Sequence, residues 1–207
     1  MKTITRSDIE HVIGRKGYKF FRRGTFNLNI IGIRSTNSVS DKFDDEIHVL
    51  YNDEDGAQMH EIFACTTDPG KHWLMNPLNI NGTIMIAPGQ HRGVYKIGKH
   101  GRSKPSGGYV ALEQIKPMAQ VRDNNKNSKL DFDLYKDESN IKYSLSKTNI
   151  HRASKWKTLL NIGRYSAGCQ VIQDPNRFDR FMDLCQAQLD YKSGTTFTYT
   201  LLEEKDF

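Results

Sequence analysis

No apolar run in this chain approaches the roughly 18 residues that a membrane-spanning helix needs. Mean hydropathy is −0.66. The opening stretch MKTITRSDIEHVIGRKG lacks the apolar segment and small-residue cleavage site of a secretory signal. The expectation is synthesis in the cytoplasm, without a signal peptide or a transmembrane segment. Cysteine is scarce: three residues, Cys65, Cys169 and Cys185, widely spaced and without a CxxC pair. An odd, scattered set argues against a disulfide framework and against structural zinc. His72, His91, His100 and His151 show no HxH or HxxxH spacing, and DNNKN lacks the glycine and closing glutamate of a calcium loop. No metal and no cofactor is implied. Internal repeats and composition shifts are also missing, so the chain reads as a single domain. Residues 1–25 form a helical lead-in, residues 26–207 a core, with a polar excursion near 123–147.

What is present is a moderately basic chain of 207 residues, with 30 Lys and Arg against 24 Asp and Glu. A formal charge of +6 suits an anionic partner such as nucleic acid, a membrane surface or a cell-wall polymer. The stretch RKGYKFFRRG interleaves basic and aromatic residues, as nucleic-acid surfaces do. It reads equally as an envelope-facing patch, or as a helix end leading its aromatics into a core.

The hydrophobic pattern is mostly that of strands. FNLNIIGIRS is an apolar, β-branched run. Residues 46–51 and 58–66 alternate about a turn at Asp53–Gly56, which predicts a hairpin with Ile47, Val49 and Tyr51 on one face. INGTIMIAPGQHRGVYKIGKHG predicts two strands joined by a Pro-Gly turn, GYVALEQIKPMAQVRD continues the pattern, and TTFTYTLL closes the chain as a strand. A short first helix is expected from Ser7 and Glu10 as a capping box. The long helix is DPNRFDRFMDLCQAQLDY, with Asp174 as cap, Pro175 in the first turn, and Phe178, Phe181, Met182, Cys185 and Leu189 as its apolar stripe. The fold class is mainly β (α+β), with one or two helices.

Cys185 on that stripe and Cys65 in a strand read as core residues. Cys169 differs, because Ser166, Ala167 and Gly168 precede it and small residues let a backbone turn sharply. On such a turn a thiol can be exposed while the Gly168 and Cys169 amides face one point, as an oxyanion requires. A thiol also needs a base, usually histidine. His151, ending a strand in NIHRA, is the candidate.

Together, IHRA, the fourteen residues from Arg152 to Tyr165, and SAGC resemble the active-site signature of the L,D-transpeptidase (YkuD-like) catalytic domain. TTDPG, APGQHRGVYKIGKH and GGYVAL look like further segments of that family in the same order. NIHRA and SAGCQV are most similar to phage and bacterial peptidoglycan-degrading, endolysin-like relatives. The resemblance implies a β-sandwich-like fold and a cysteine nucleophile acting on peptidoglycan stem peptides through a thioester. It makes Cys169 the nucleophile, His151 the base and later acid, and Gly168 the source of the turn and an oxyanion amide, with Ser166 a further residue of the catalytic motif. Tyr109, His100, Arg152, Arg164, Ala167 and Gln170 are the expected substrate-binding residues. Ala167 stands where the family has histidine, and Val171 where it has Arg or Asn, so Arg152 or Arg164 would supply the missing cation. A true transpeptidase that forms cross-links is one alternative function. A non-catalytic module binding cell wall or nucleic acid through its basic surface is another.

Overall fold

The computed structural model describes residues 3–103 and 105–207. A helix α1 (Arg6–Arg15) precedes strands β1 (Asn29–Arg34), β2 (Asp45–Asn52) and β3 (Gln58–Thr66). A short helix α2 (Lys71–Met75) leads to β4 (Thr83–Ile86), β5 (Gly89–His100), β6 (Tyr109–Gln114) and β7 (Met118–Asp123). Two 3-10 turns follow, then β8 (Lys142–Ser144), β9 (Ile150–Arg152), β10 (Gln170–Ile172), the long helix α3 (Pro175–Asp190) and β11 (Phe197–Glu203). The fold is mainly β with helices added, as the pattern predicts. No helix among the described residues is long and apolar enough to cross a membrane.

Within that class the expected sandwich gives way to a barrel. Eight strands close in the order β1-β11-β5-β6-β9-β10-β3-β2, and β4-β7-β8 form a separate three-stranded sheet. Closure depends on β1 pairing parallel with β11, Ile31 opposite Thr200, which leaves that sheet no free edge. The strands flanking the Pro-Gly turn are therefore not partners. β4 joins β7 in the small sheet, while β5 joins β11 and β6 in the barrel.

Strand β1 is buried on both faces. Ile30 belongs to the main core with Ile47, Val49, Phe63 and Leu201. Ile31 and Ile33 pack outward against Ile9, Val12 and Ile13 of α1. The first helix is capped by Thr5 and Asp8, not by Ser7 and Glu10, because the Thr5 side chain meets the Asp8 amide and Asp8 answers to the Thr5 amide. Phe20 from the basic-aromatic stretch is buried in the same cluster, with Arg6 and Arg22 over its ring, so this aromatic serves the core.

Helix α3 lays Phe178, Phe181, Leu184 and Cys185 into the main core, its start fixed by Asp174 accepting from the amides of Asn176 and Arg177. Cys65 and Cys185 are both fully buried. The stretch 123–147 is less of an excursion than its polarity suggests. Leu130 is buried with Leu74, Met85 and Val121, and Phe132, Leu134, Tyr135 and Ile141 pack against them. That third cluster fastens the small sheet beside the barrel, next to the cysteine turn.

Candidate functional site

Cys169 stands at the head of β10, and His151 lies in β9. The two strands pair in parallel, Gln170 opposite Ile150 and Val171 opposite His151. Side chains alternate along a strand, so residues 169 and 171 share a face with 149 and 151. With strands about 4.8 Å apart and about 3.3 Å per residue, the Cα atoms of Cys169 and His151 are about 8 Å apart. The pairing brings the expected thiol and imidazole to one side of the barrel wall.

The turn before Cys169 is built by Ser166, which is fully buried. Its hydroxyl donates to the Cys169 carbonyl at 2.8 Å and accepts from the Gly168 amide at 3.2 Å. Gly168 takes φ +120°, and a Cβ there would lie 2.7 Å from the Ile84 carbonyl oxygen. Glycine is thus required by both the backbone and the neighbouring β4. The hydrogen bond corrects one expectation: the Gly168 amide is engaged by Ser166, so it is not aimed at an oxyanion. The amide of Cys169 is left as the turn's candidate donor.

Behind the turn lies TTDPG. The Gly70 amide donates to the Ser166 carbonyl at 2.9 Å. This loop is held by a buried charge cluster. Arg34, with no exposed surface, donates to the Thr67 hydroxyl, the Thr67 carbonyl and the Ile86 carbonyl, and lies 2.9 Å from Asp68. Asp45 accepts from the amides of Ser35 and Thr67 and from the Thr67 hydroxyl. Burial pushes both carboxylates up, Asp45 to about 8 with the Asp68 charge adding to the effect, and Asp68 to about 6 against the lowering pull of Arg34.

On the imidazole side, the Nδ1 of His151 is 2.8 Å from the Arg152 carbonyl oxygen. A carbonyl only accepts, so Nδ1 carries the hydrogen and Nε2 is the basic nitrogen of the neutral ring. The Tyr109 hydroxyl donates to the same carbonyl at 3.1 Å and lies 3.3 Å from Nδ1. The ring of His100 stacks on that of His151, and Asn149 Nδ2 is 3.3 Å from His100 Nδ1. The Arg152 guanidinium lies over the Tyr109 ring, 4.1 Å from its centroid, and 3.8 Å from Asp179. Burial pushes the Tyr109 phenol up to about 12, against the lowering effect of Arg152.

Cys169 is half-buried, with its Sγ 3.7 Å from the Lys147 carbonyl oxygen. Burial pushes its thiol up to about 11, only partly offset by the Asn149 amide.

Two clefts flank the turn. One, about 510 Å³, is lined by Cys169, Ala167, Arg122, Thr83, Ile84 and the strap 144–148. The other, about 390 Å³, gathers His100, Tyr109, His151, Arg152 and Arg164. Nine of the ten expected site residues thus lie on the turn or in these clefts. Gln170 does not belong to them: it is fully buried, accepting from the Tyr199 hydroxyl at 2.9 Å and donating to the Gly168 carbonyl. One step along the strand from Cys169, it faces the other way, so its role is to hold the turn from inside.

Sequence reasoning missed the strap that faces the thiol. Gln114 holds it, its Oε1 accepting from the amides of Ser146 and Thr148 and its Nε2 donating to the Ser144 carbonyl. The Tyr95 hydroxyl adds a bond to the Thr148 carbonyl at 2.7 Å. A lone glutamine ending a strand carries no sequence signal for this role. Among the described residues no group of three or more His, Cys, Asp or Glu is arranged to hold a metal ion. Comparison with protein-family models, with curated proteins and with solved structures found no match.

Proposed function

We propose that this chain is a cysteine-dependent peptidoglycan peptidase that cleaves a stem-peptide or cross-link amide through a thioester. The observation that carries this reading is the parallel pairing of β9 and β10, which sets Cys169 diagonal to His151 on one face. The hydrogen bond from His151 Nδ1 to the Arg152 carbonyl supports it, since it presents Nε2 as a base. The likeness of IHRA and SAGC to the L,D-transpeptidase signature supplies the substrate class.

A thiol pushed up to about 11 is a poor source of preformed thiolate at neutral pH. Its proton therefore passes to His151 Nε2 as sulfur attacks the substrate carbonyl. The C–S bond forms and the carbonyl oxygen takes the negative charge, with the Cys169 amide as its donor. Collapse breaks the C–N bond, and His151 returns the proton to the departing amine. Water then attacks the thioester, His151 accepts its proton, and the thiol and a carboxylic acid are released. Arg152 and Arg164 supply positive charge on the imidazole side for substrate carboxylates. The site of action is the bacterial wall.

Digestion of purified sacculi, with products identified by mass spectrometry, tests the proposal. Wild-type protein should release shorter stem peptides or uncrosslinked muropeptides, and Cys169→Ala should release none. New cross-links in place of cleavage would make the protein a transferase. Equal wall binding by both proteins, with no product from either, would make it a binding module.

A further inference from the structure

The cleft on the cysteine side carries charge that the peptidase chemistry above does not use. It is walled by Thr83 and Ile84 of β4, Arg122 of β7 and the strap 144–148, with Leu78 and Leu145 at its apolar edges. Among the described residues it is lined by no carboxylate, but by two cations, Arg122 and Lys147. Neither takes part in an ion pair among the described residues. One guanidinium N–H of Arg122 donates to the Gly82 carbonyl at 2.8 Å, which fixes its planar head against the β4 end of the cleft. A head fixed in this way meets a carboxylate without first losing its freedom.

Lys147 adds a second, independent observation. It takes φ +57°, the left-handed region in which glycine or asparagine is more at ease. Its carbonyl accepts from the Asn149 amide at 3.0 Å and faces the Cys169 thiol. The backbone of Lys147 thus lies beside the reacting sulfur, and the residue lines the same cleft.

We infer that Arg122 and Lys147 form an anion subsite that binds a substrate carboxylate on the cysteine side of the reacting carbonyl. With Arg152 and Arg164 on the imidazole side, the preferred substrate is a short peptide carrying a carboxylate on each side of the cleaved bond. The inference rests on the peptidase reading for the bond that lies between, but the subsite is a matter of binding and can be measured without turnover.

The experiment uses the Cys169→Ala protein and the synthetic tetrapeptide Ala-γ-Glu-Lys-Ala, with its carboxylates free, singly amidated or doubly amidated. Calorimetric titration should show affinity falling about tenfold when the carboxylate facing the subsite is amidated, the order expected for losing one charge-assisted contact. Adding Lys147→Gln or Arg122→Gln should weaken the free peptide and abolish that discrimination, and Lys147→Arg should retain it. Equal affinity for free and amidated peptides, or no binding of either, would overturn the subsite. Cleavage of both peptides alike by wild type would keep the peptidase and remove the subsite. Carboxylate-dependent binding without cleavage would do the reverse.

Discussion

The imidazole of His100 lies flat on that of His151, ring centroids 3.8 Å apart and planes 16° from parallel. His100 comes from the end of β5 and His151 from β9, so the stack joins two strands that are not neighbours in the barrel. Packing from one side and the Arg152 carbonyl from the other leave the His151 ring little room to turn. The catalytic base of the proposed reaction is held by a ring and a main-chain oxygen.

That arrangement assigns different weights to the groups around His151. His151→Gln should lower kcat by about 10²–10⁴-fold, the usual worth of a general base. Tyr109→Phe removes one donor to the Arg152 carbonyl but keeps the ring under Arg152, so it should cost only about threefold to tenfold. Steady-state rates on a labelled stem peptide check both. A Tyr109→Phe loss as large as that of His151→Gln would place the phenol in the chemistry instead.

The raised thiol predicts the behaviour of the resting protein toward alkylation. Burial disfavours the thiolate, so reaction with iodoacetamide should be slow at pH 7 and quicken about tenfold per pH unit toward the thiol's pKa of about 11. Mass spectrometry of the peptide containing Cys169 follows the rate. A plateau already reached below pH 8 would mean a preformed thiolate and would contradict the proton-transfer step.

Gly168→Ala tests the turn by stability. The new methyl would be held at φ +120° and 2.7 Å from the Ile84 carbonyl oxygen. The expected loss is at least about 1–3 kcal/mol from backbone strain alone, read from chemical denaturation. Loss of cleavage should accompany it, because β4 and the cysteine turn must move apart.

The cluster of Arg34, Asp45 and Asp68 predicts a pH trend. Their shared environment raises both carboxylates above an ordinary value near 3.8, to about 8 and about 6. A raised folded pKa means that the folded state binds protons more tightly than the unfolded chain. The resulting stabilisation is complete below about pH 4 and is lost as pH rises toward 8. Denaturation midpoints across that range should show the decline, and Asp68→Asn, which removes one of the two charges, should flatten it. A stability that rises over the same window would contradict the assignment.

The parts of this fold that sequence exposes are those set by local chemistry. The β2–β3 hairpin follows from alternation around Asp53–Gly56, and α3 from Asp174, Pro175 and its apolar stripe. Cys169 and His151 stand out because small residues and a strand end frame them. Barrel closure is different: it joins Ile31 to Thr200, and neither strand carries a mark of its partner. Residues 123–147 read as solvated because Leu130, Phe132, Leu134 and Tyr135 are dispersed among polar neighbours, yet they converge on one cluster. Gln170 was expected in the cleft beside Cys169, but alternation sends the two side chains to opposite faces. The anchor of His151 is a backbone carbonyl, which no residue type announces.

Trapping the acyl-enzyme tests the central claim most directly. Wild-type protein mixed with a stem peptide, quenched in acid and digested, should show the acyl half of the substrate as added mass on the peptide containing Cys169. The same treatment of Cys169→Ala should show none, and a stem peptide or sacculus should remain uncut. Cleavage by Cys169→Ala at the wild-type rate would contradict the account.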